Sequence, residues 1–326
     1  MNPLFLADHL TDIRTAAERI SGRVLRTPTL APLDFAGVLL KPECLQPTGS
    51  FKVRGAFNAL LELHAASPDL AGVVTVSSGN HGQALAYAGR NLGVPVVVVM
   101  PASAAPVKVA AVTRLGARVV SDGVTPENRE ECFRAVVEET GFAPVHPFDN
   151  WSVIHGQATI GLEILADQPE VATIVVPVSG AGLLSGVAMA AKALRPDVRV
   201  VGAEPAAADD ARQSLAAGRV VRQIAGPTIA DGALAPEIGA RPAEVLLEQG
   251  LVDAIVTVSD DELREALPRL WMGAKLLAEP TGGLAVAAGL RGGLGMPVVA
   301  VVTGGNVDPA LVAALLAPDR GAPPRR

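Results

Sequence analysis

The stretch GVVTVSSGNHGQALAYAGRNLGVPVVVVM, residues 72–100, decides the fold of this chain. It contains a β-branched run at 73–76, a polar turn, an amphipathic stretch at 82–92 and a second β-branched run at 96–100. Two short strands joined by an Ala-rich helix are typical of a βαβ unit, and such units build parallel sheets. The stretch therefore predicts an α/β protein.

The same alternation of strand and helix continues along the chain. Further strands are predicted at 118–120, 173–178, 198–203, 254–258 and 298–302. Further helices are predicted at 53–63, 107–115, 126–140, 156–165, 183–194, 261–277 and 309–316. The fold class predicted is α/β, with two open, twisted, mainly parallel sheets flanked by helices.

The chain is expected to fold as two lobes. Its 326 residues, 49% of them hydrophobic, exceed what a single core usually fills. Pro147 and Asp149-Asn150 interrupt the pattern between 144 and 151, and a second crossing lies near 46–50. We expect a large lobe formed by 1–47 and 148–326, and a small lobe formed by 48–147.

Composition excludes several classes of function. A net charge of −6, without a basic tract inside the chain, argues against nucleic-acid binding and favours a small-molecule partner. Cys44 and Cys132 lie far apart, so neither a disulfide framework nor a zinc knuckle is indicated. The apolar runs have the length of strands, and the start lacks a secretory pattern. We expect a cytoplasmic protein with no membrane partner.

Lys52 ends the turn-forming run QPTGSFK at 46–52 and begins a predicted helix. Its neighbours Phe51 and Val53 are apolar. An amine near an apolar wall and a helix N-terminus is pushed toward its neutral form, which a Schiff base requires. The alternative is an ordinary surface lysine at a helix start, and this window alone leaves it open.

The segment SSGNHG, residues 77–82, follows one predicted strand and opens the next helix. In open α/β sheets, ligands bind beyond the carboxyl ends of strands, where hydroxyls and backbone N–H groups can receive a carboxylate. The alternative is a helix cap. Two serines, an amide and an imidazole are more polar groups than a cap needs, which favours a binding site.

The segment SGAGL, residues 179–183, again lies between a strand and a helix. Its small residues let the backbone approach a phosphate. Gly180-x-Gly182 with Glu204 downstream also resembles a dinucleotide fingerprint, but Ser185 stands where the third glycine should fall. A nicotinamide site would also leave Lys52 and 77–82 unexplained, so we reject it.

The last strand ends in TGGN, residues 303–306, preceded by EPTGG at 279–283. The Thr303 hydroxyl is either a turn cap or a neutral partner for a ring nitrogen. A neutral partner does not favour protonation of such a nitrogen.

Together and in this order, these segments resemble the fold-type II pyridoxal-phosphate enzymes, which have the tryptophan synthase β-like fold. The resemblance is strongest to the branch of serine racemases and serine/threonine dehydratases, and it covers about 20–310. The motifs that carry it are QPTGSFKVRGAFNAL at 46–60, SSGNHGQALAYAG at 77–89, AEP at 203–205 and TGGNVD at 303–308.

The resemblance implies a role for individual residues. Lys52, beside Phe51, would hold pyridoxal 5'-phosphate as a Schiff base, Asn80 would bond the phenolic oxygen, and Thr303 would face the ring nitrogen. The phosphate would rest on the backbone of Ser179, Gly180, Ala181, Gly182 and Leu183. The substrate carboxylate would meet Ser50, Ser77 and His81, and Ser78 would act on the face opposite the lysine. The resemblance also implies Mg²⁺ or Ca²⁺ at Glu204, Asp210 and the backbone of Ala208.

Two departures from the family pattern bear on the activity. Ser179 and Ala181 interrupt a phosphate loop that is commonly all glycine, so this loop should be stiffer. Ala235-Pro236 stand where mammalian-type racemases carry a serine pair, which weakens the racemase interpretation. For the metal, a solvated acidic helix start at Asp209-Asp210 is the alternative.

The expected activity is that of a dehydratase, or ammonia-lyase, which converts L-serine, L-threonine or 3-hydroxyaspartate to a 2-keto acid and ammonia. A neutral Thr303 would let loss of the β-hydroxyl compete with return of the α-proton. The main alternative is a racemase that uses Lys52 and Ser78 on opposite faces. A β-replacement synthase and a binding protein without turnover are further alternatives. The resemblance also implies a homodimer.

Overall fold

The computed structural model describes residues 2–77 and 79–317, so Ser78 lies outside the described residues. Strands and helices alternate through this part of the chain. The strands are β1 (Val38–Pro42), β2 (Val73–Val76), β3 (Val96–Val99), β4 (Arg118–Val120), β5 (Ala143–Pro144), β6 (Thr173–Pro177), β7 (Arg199–Pro205), β8 (Ala254–Val258) and β9 (Val298–Val302). The helices are α1 (Pro3–Ile20), α2 (Lys52–Ala66), α3 (Asn80–Leu92), α4 (Pro106–Arg114), α5 (Arg129–Thr140), α6 (Trp151–Asp167), α7 (Gly182–Leu194), α8 (Asp210–Ala217), α9 (Ala240–Ala243), α10 (Asp260–Pro268), α11 (Pro280–Arg291) and α12 (Pro309–Leu316).

The strands form two parallel sheets. The larger sheet has the order β1-β9-β6-β7-β8, and the smaller one has the order β4-β3-β2-β5. Each paired ladder is parallel, with Val73 of β2 opposite Val96 of β3 and Thr173 of β6 opposite Arg199 of β7. The predicted α/β class with two parallel sheets is confirmed.

Burial on both faces explains why these runs form parallel strands. All residues of β3 and β9 are buried, as expected for central strands covered by helices on both sides. The strands of the smaller sheet all fall within 48–147, and those of the larger sheet fall outside it. The exact lobe limits at 47/48 and 147/148 stay a prediction.

A close helix crossing places the start of α2. A Cβ on Gly156 of α6 would lie 2.6 Å from Cα of Gly55 in α2, so both positions need glycine for the backbones to approach. Beside this crossing, the buried Arg54 guanidinium bonds Glu43 and Glu163, and Lys41 Nζ bonds the same Glu163 at 2.6 Å. The helix crossing and the buried ion pairs therefore fix the position of α2, which begins at Lys52.

The sequence prediction was wrong in places. The helix predicted at 261–277 ends at Pro268, where a π-helical turn at Arg269–Gly273 takes over, and Lys275 adopts a left-handed φ of 59°. The helix predicted from 126 begins at Arg129, because Asn128 Oδ1 instead accepts the N–H of Thr125 in a turn. The elements that the pattern missed are α1, β1, β5, α8, α9 and α11.

Within 2–77 and 79–317, no helix combines the length and the apolar character needed to cross a bilayer.

Candidate active site

A cavity of about 530 Å³ opens at the carboxyl ends of strands from both sheets. It is bounded by residues that directly follow β2, β6 and β9, where ligands of open α/β sheets are expected. Many of the site residues predicted from the sequence meet here. Those that line the cavity are Phe51, Lys52, Ser77, Asn80, His81, Ser179, Gly180, Ala181, Gly182, Leu183 and Thr303.

Lys52 is the first residue of α2, and the backbone before it is tied to the end of β9. The Phe51 N–H donates to the Thr303 carbonyl at 3.0 Å, and Ser50 forms a bridge with Gly304. The Lys52 Nζ donates to the Pro147 carbonyl at 2.7 Å. Burial lowers the pKa of this amine to about 8, because the charged form loses hydration. A substantial neutral fraction is therefore present near pH 8, as a nucleophilic amine requires.

The loop before α7 presents backbone N–H groups to the cavity. Ala181 adopts a left-handed φ of 64°, and α7 begins at Gly182. The first N–H groups of a helix have no intrahelical acceptor and favour anions. A Cβ on Gly182 would lie 2.8 Å from the Phe148 carbonyl oxygen, so glycine lets the loop pack against that wall. This backbone fits a phosphate group.

Two buried hydroxyls near the end of β9 have no hydrogen-bond partner among the residues that the structure describes. Within the described residues, neither Thr303 Oγ1 nor Ser50 Oγ makes a hydrogen bond. Thr303 lines the cavity, so its hydroxyl is available to a ligand, whereas Ser50 is fully buried beside the lining. With Lys52 and the α7 N-terminus, Thr303 gives an amine, an anion site and a neutral hydroxyl in one cavity. This set fits pyridoxal phosphate.

Asn80 is held in the cavity by two neighbours that the sequence analysis gave no role. Its Nδ2 donates to Glu279 Oε1 at 2.7 Å, and its Oδ1 accepts from Asn306 Nδ2 at 2.7 Å. Burial raises the pKa of Glu279 to about 7, against the opposing hydrogen bond from Asn80. Glu279 and Asn306 belong to the motifs EPTGG and TGGN, which the sequence analysis singled out. Only the folded chain shows that both residues contact Asn80.

Ser77 and His81 shape the start of α3. Ser77 Oγ accepts the N–H groups of Gly79 at 3.2 Å and Gly82 at 3.0 Å. His81 is buried, and burial followed by the nearby positive charges of Lys52 and His146 holds its pKa well below the usual value. The imidazole is neutral at pH 7, so it can contact a carboxylate only by hydrogen bonding.

Charged side chains at the cavity mouth were missed by the sequence analysis. The Lys108 Nζ on α4 bonds the Asp231 carboxylate at 2.5 Å. Helix α4 lies between strands of the smaller sheet and Asp231 lies between strands of the larger sheet, so this ion pair links the two parts of the chain. Arg129 and Glu130 at the start of α5 also line the cavity. No local motif marks these positions, because they come from separate helices and a loop that meet only in the folded chain.

The predicted metal ligands lie away from this cavity. Glu204 is buried and accepts the N–H groups of Ala211 at 3.1 Å and Arg212 at 2.9 Å at the start of α8. Burial raises the pKa of Glu204 to about 8 and that of Asp210 to about 7. Within the described residues, Asp210 Oδ2 is buried without a partner. This Asp210 oxygen is compatible with binding a hard cation. Glu204 has an alternative role, because its carboxylate caps the N-terminus of α8.

Comparisons with known proteins show the family to which the chain belongs. The sequence profile of the family described as "Pyridoxal-phosphate dependent enzyme" matches residues 20–304. The chain is similar to a serine racemase of Oryza sativa subsp. indica, with 39% identity over 93% of this chain and 92% of the relative. It is also similar to an L-threo-3-hydroxyaspartate ammonia-lyase of Pseudomonas sp, with 41% identity over 94% of this chain and 97% of the relative.

The fold has close counterparts among solved structures. A threonine deaminase from T.th. has 45% identity and a TM-score of 0.86, covering 91% of this chain and 98% of that one. The profile match spans most of the chain, and the relatives align over nearly their full length. The chain therefore belongs to the pyridoxal-phosphate dependent enzymes of fold-type II.

Proposed function

We propose that this protein is an ammonia-lyase that converts L-serine, L-threonine or 3-hydroxyaspartate to a 2-keto acid and ammonia. The observation that carries the proposal is the buried Thr303 hydroxyl, without a partner among the described residues, on the cavity that holds the Lys52 amine. A hydroxyl is neutral and does not favour a protonated ring nitrogen. The electron pair of the broken Cα–H bond then forms a Cα–Cβ double bond, while the β-hydroxyl departs with the electron pair of the C–O bond and is protonated to water.

The residues of the cavity divide the work of holding the cofactor. Lys52 would be the covalent attachment point, the backbone of 179–183 would receive the phosphate, and Thr303 would bond the ring nitrogen. Asn80, fixed between Glu279 and Asn306, would bond the ring oxygen through its amide. Bound pyridoxal phosphate supplies the electron sink that acidifies the α-proton of an amino acid.

Lys52 is also the base of the proposed reaction. With a pKa lowered to about 8 by burial, its amine can take the α-proton at neutral to mildly basic pH once the substrate has displaced it. The Pro147 carbonyl, 2.7 Å from Nζ, orients the amine. Phe51 and Phe148 line the cavity and shield this proton transfer from water.

Substrate binding is assigned to the small-lobe side of the cavity. We propose that the α-carboxylate meets Ser77 and His81, with Ser50 supporting the loop from behind. Lys108 and Arg129 line the same cavity, but Asp231 and Glu130 line it beside them, so a second substrate carboxylate would compete with these two acids for the positive charges. The name of the Pseudomonas relative supports 3-hydroxyaspartate as one of the substrates.

A hard cation at α8 is a separate part of the proposal. Glu204, Asp210 and the carbonyl of Ala208 would bind Mg²⁺ or Ca²⁺ through oxygen atoms. The Asp210 oxygen that lacks a partner among the described residues supports this role. The homodimer and the cytoplasmic location expected from the sequence stay predictions.

A racemase is the second candidate, because relatives named serine racemase share 39–42% identity with the chain. In that reaction one proton is taken on the Lys52 side and another is returned on the opposite face, a role that the family resemblance implies for Ser78. Ala235-Pro236 in place of a serine pair argues against it.

Incubation of the purified protein with each substrate separates the two activities. Ammonia and 2-keto acid are measured together with D-serine by chiral chromatography. We expect pyruvate from L-serine to exceed D-serine, and D-serine without pyruvate would overturn the lyase assignment. Lys52→Arg should abolish both products, whereas the matched control Lys275→Arg, at a lysine outside the cavity, should retain them.

A further inference from the structure

A second polar cavity lies between α1 and α6, away from the candidate active site. Its volume is about 200 Å³, and its lining includes His9, Asp12 and His155. These three side chains each bring a donor atom within 4.8 Å of the other two. None of them takes part in the proposed lyase reaction.

The helices bring these residues together for a simple geometric reason. His9 and Asp12 are three residues apart on α1, so they share one face of the helix. His155 lies one turn after Trp151 on α6, and the two rings stack with centroids 5.8 Å apart. The His9 ring contacts Trp151 as well, with a centroid distance of 4.4 Å. The indole therefore orients both imidazoles.

Both imidazoles are in the neutral form that coordinates metals. Burial lowers the pKa of His9 despite the opposing charges of Asp12 and Asp8. Burial lowers the pKa of His155 to about 3, and the positive charge of the nearby Arg19 acts in the same direction. Their closest nitrogens, His9 Nδ1 and His155 Nε2, are 2.8 Å apart and share one proton. The hydrogen bond between His9 and His155 alone does not account for the Asp12 carboxylate beside them.

Asp12 supplies that carboxylate. It is exposed and, within the described residues, has no ion pair. Arg19 also lines the cavity, but its guanidinium bonds Asn58 at 2.6 Å and lies 3.6 Å from Glu62, which offsets its charge. The corner near His9 thus holds two neutral nitrogen donors and one available anionic oxygen.

We propose that His9, Asp12 and His155 bind a divalent transition-metal ion through two imidazole nitrogens and one carboxylate oxygen. Nitrogens 2.8 Å apart, each about 2.0–2.1 Å from an ion, subtend an angle of about 85° at it. Neighbouring ligands of tetragonal or octahedral ions make such an angle, which favours Cu²⁺ and Ni²⁺. Tetrahedral Zn²⁺ would require the nitrogens to separate by about 0.5 Å. The ion would take the place of the proton in the hydrogen bond between His9 and His155 and would link α1 to α6.

This site differs in chemistry from the oxygen-only site proposed at Glu204 and Asp210. Imidazole nitrogen selects transition metals, whereas carboxylate and carbonyl oxygen suit Mg²⁺ and Ca²⁺. Excess Mg²⁺ therefore occupies the oxygen site without blocking the histidines. Ammonia release is not the readout, so the result does not depend on the proposed activity.

The test is calorimetric titration of Ni²⁺ into the tag-free, cofactor-loaded enzyme in excess Mg²⁺. We expect one Ni²⁺ per chain, weakened at least about tenfold by His9→Gln or Asp12→Asn, because each removes a ligand from the surface of α1. His64→Gln, at a partly buried histidine outside the cluster, should bind like the wild type.

Electron paramagnetic resonance of the Cu²⁺ form gives a second readout. Hyperfine coupling to two imidazole nitrogens is expected in the wild type and to one in His9→Gln. Absence of saturable Ni²⁺ binding, or unchanged binding in both α1 variants, would overturn the site. Tighter binding of Zn²⁺ than of Ni²⁺ would contradict the assigned ligand angle.

Discussion

Replacing Arg54 by methionine should strongly destabilise the protein. The guanidinium is fully buried, and its Nε and Nη2 donate to Glu43 at 2.7 and 2.8 Å while Nη1 donates to Glu163 at 2.7 Å. Glu43 is itself fully buried, and the charge of Arg54 holds its pKa below the usual value against the cost of burial. Removing one partner of such a pair leaves an uncompensated charge, so we expect a loss of about 3–5 kcal/mol in unfolding free energy.

Urea unfolding of the cofactor-loaded enzyme, followed by circular dichroism, measures this loss. The matched control is Arg26→Met, which breaks an ion pair with Asp167 at a side chain that is 57% exposed and should cost less than about 1 kcal/mol. The double variant Arg54→Met with Glu43→Met should recover part of the loss, because it removes the stranded carboxylate. A loss below about 1 kcal/mol for Arg54→Met would refute the reasoning.

Three further predictions concern the cofactor and metal sites. Only a neutral amine condenses with an aldehyde, and burial lowers the pKa of Lys52 to about 8. The rate at which the apoprotein binds the cofactor should therefore level off above that pH and fall about tenfold per pH unit below it. A stopped-flow rate that still rises at pH 10 would contradict this. Gly182→Ala should weaken cofactor binding by about 1–3 kcal/mol in equilibrium dialysis, since its Cβ would lie 2.8 Å from the Phe148 carbonyl, whereas Gly273→Ala meets its nearest neighbour at an ordinary 3.5 Å and should bind normally. Chelation of divalent cations should lower the Tm, and Mg²⁺ or Ca²⁺ should restore it; an equal response in Asp210→Asn would argue against the oxygen site.

The fold could be predicted well where local patterns suffice. The runs at 73–76 and 298–302 are continuous and β-branched, so their strands were placed correctly. Helix α1 was missed although Leu6, Ile13, Ala16 and Ile20 recur along it at helical spacing, and β1 was missed because this short strand is specified by its pairing with β9. The helix end at Pro268 was misplaced because apolar periodicity runs on through a π-helical turn.

The candidate site shows the same division. Lys52, Asn80 and Thr303 were found because each sits in a contiguous motif beside a strand end, and the cavity brings them together. Glu279 was quoted only as the first residue of EPTGG and given no role, since its contact with Asn80 joins positions 199 residues apart. Lys108 lies on a plain amphipathic helix, so only the folded chain shows that it reaches Asp231.

The most direct test of the account is the covalent position of the cofactor. The enzyme is reconstituted with pyridoxal phosphate, reduced with borohydride, digested and examined by peptide mass spectrometry. The account predicts one phosphopyridoxyl group per chain, on the lysine of the peptide that contains Lys52. A label on another lysine, or an unlabelled Lys52 in enzyme that turns over hydroxy amino acids, would contradict it.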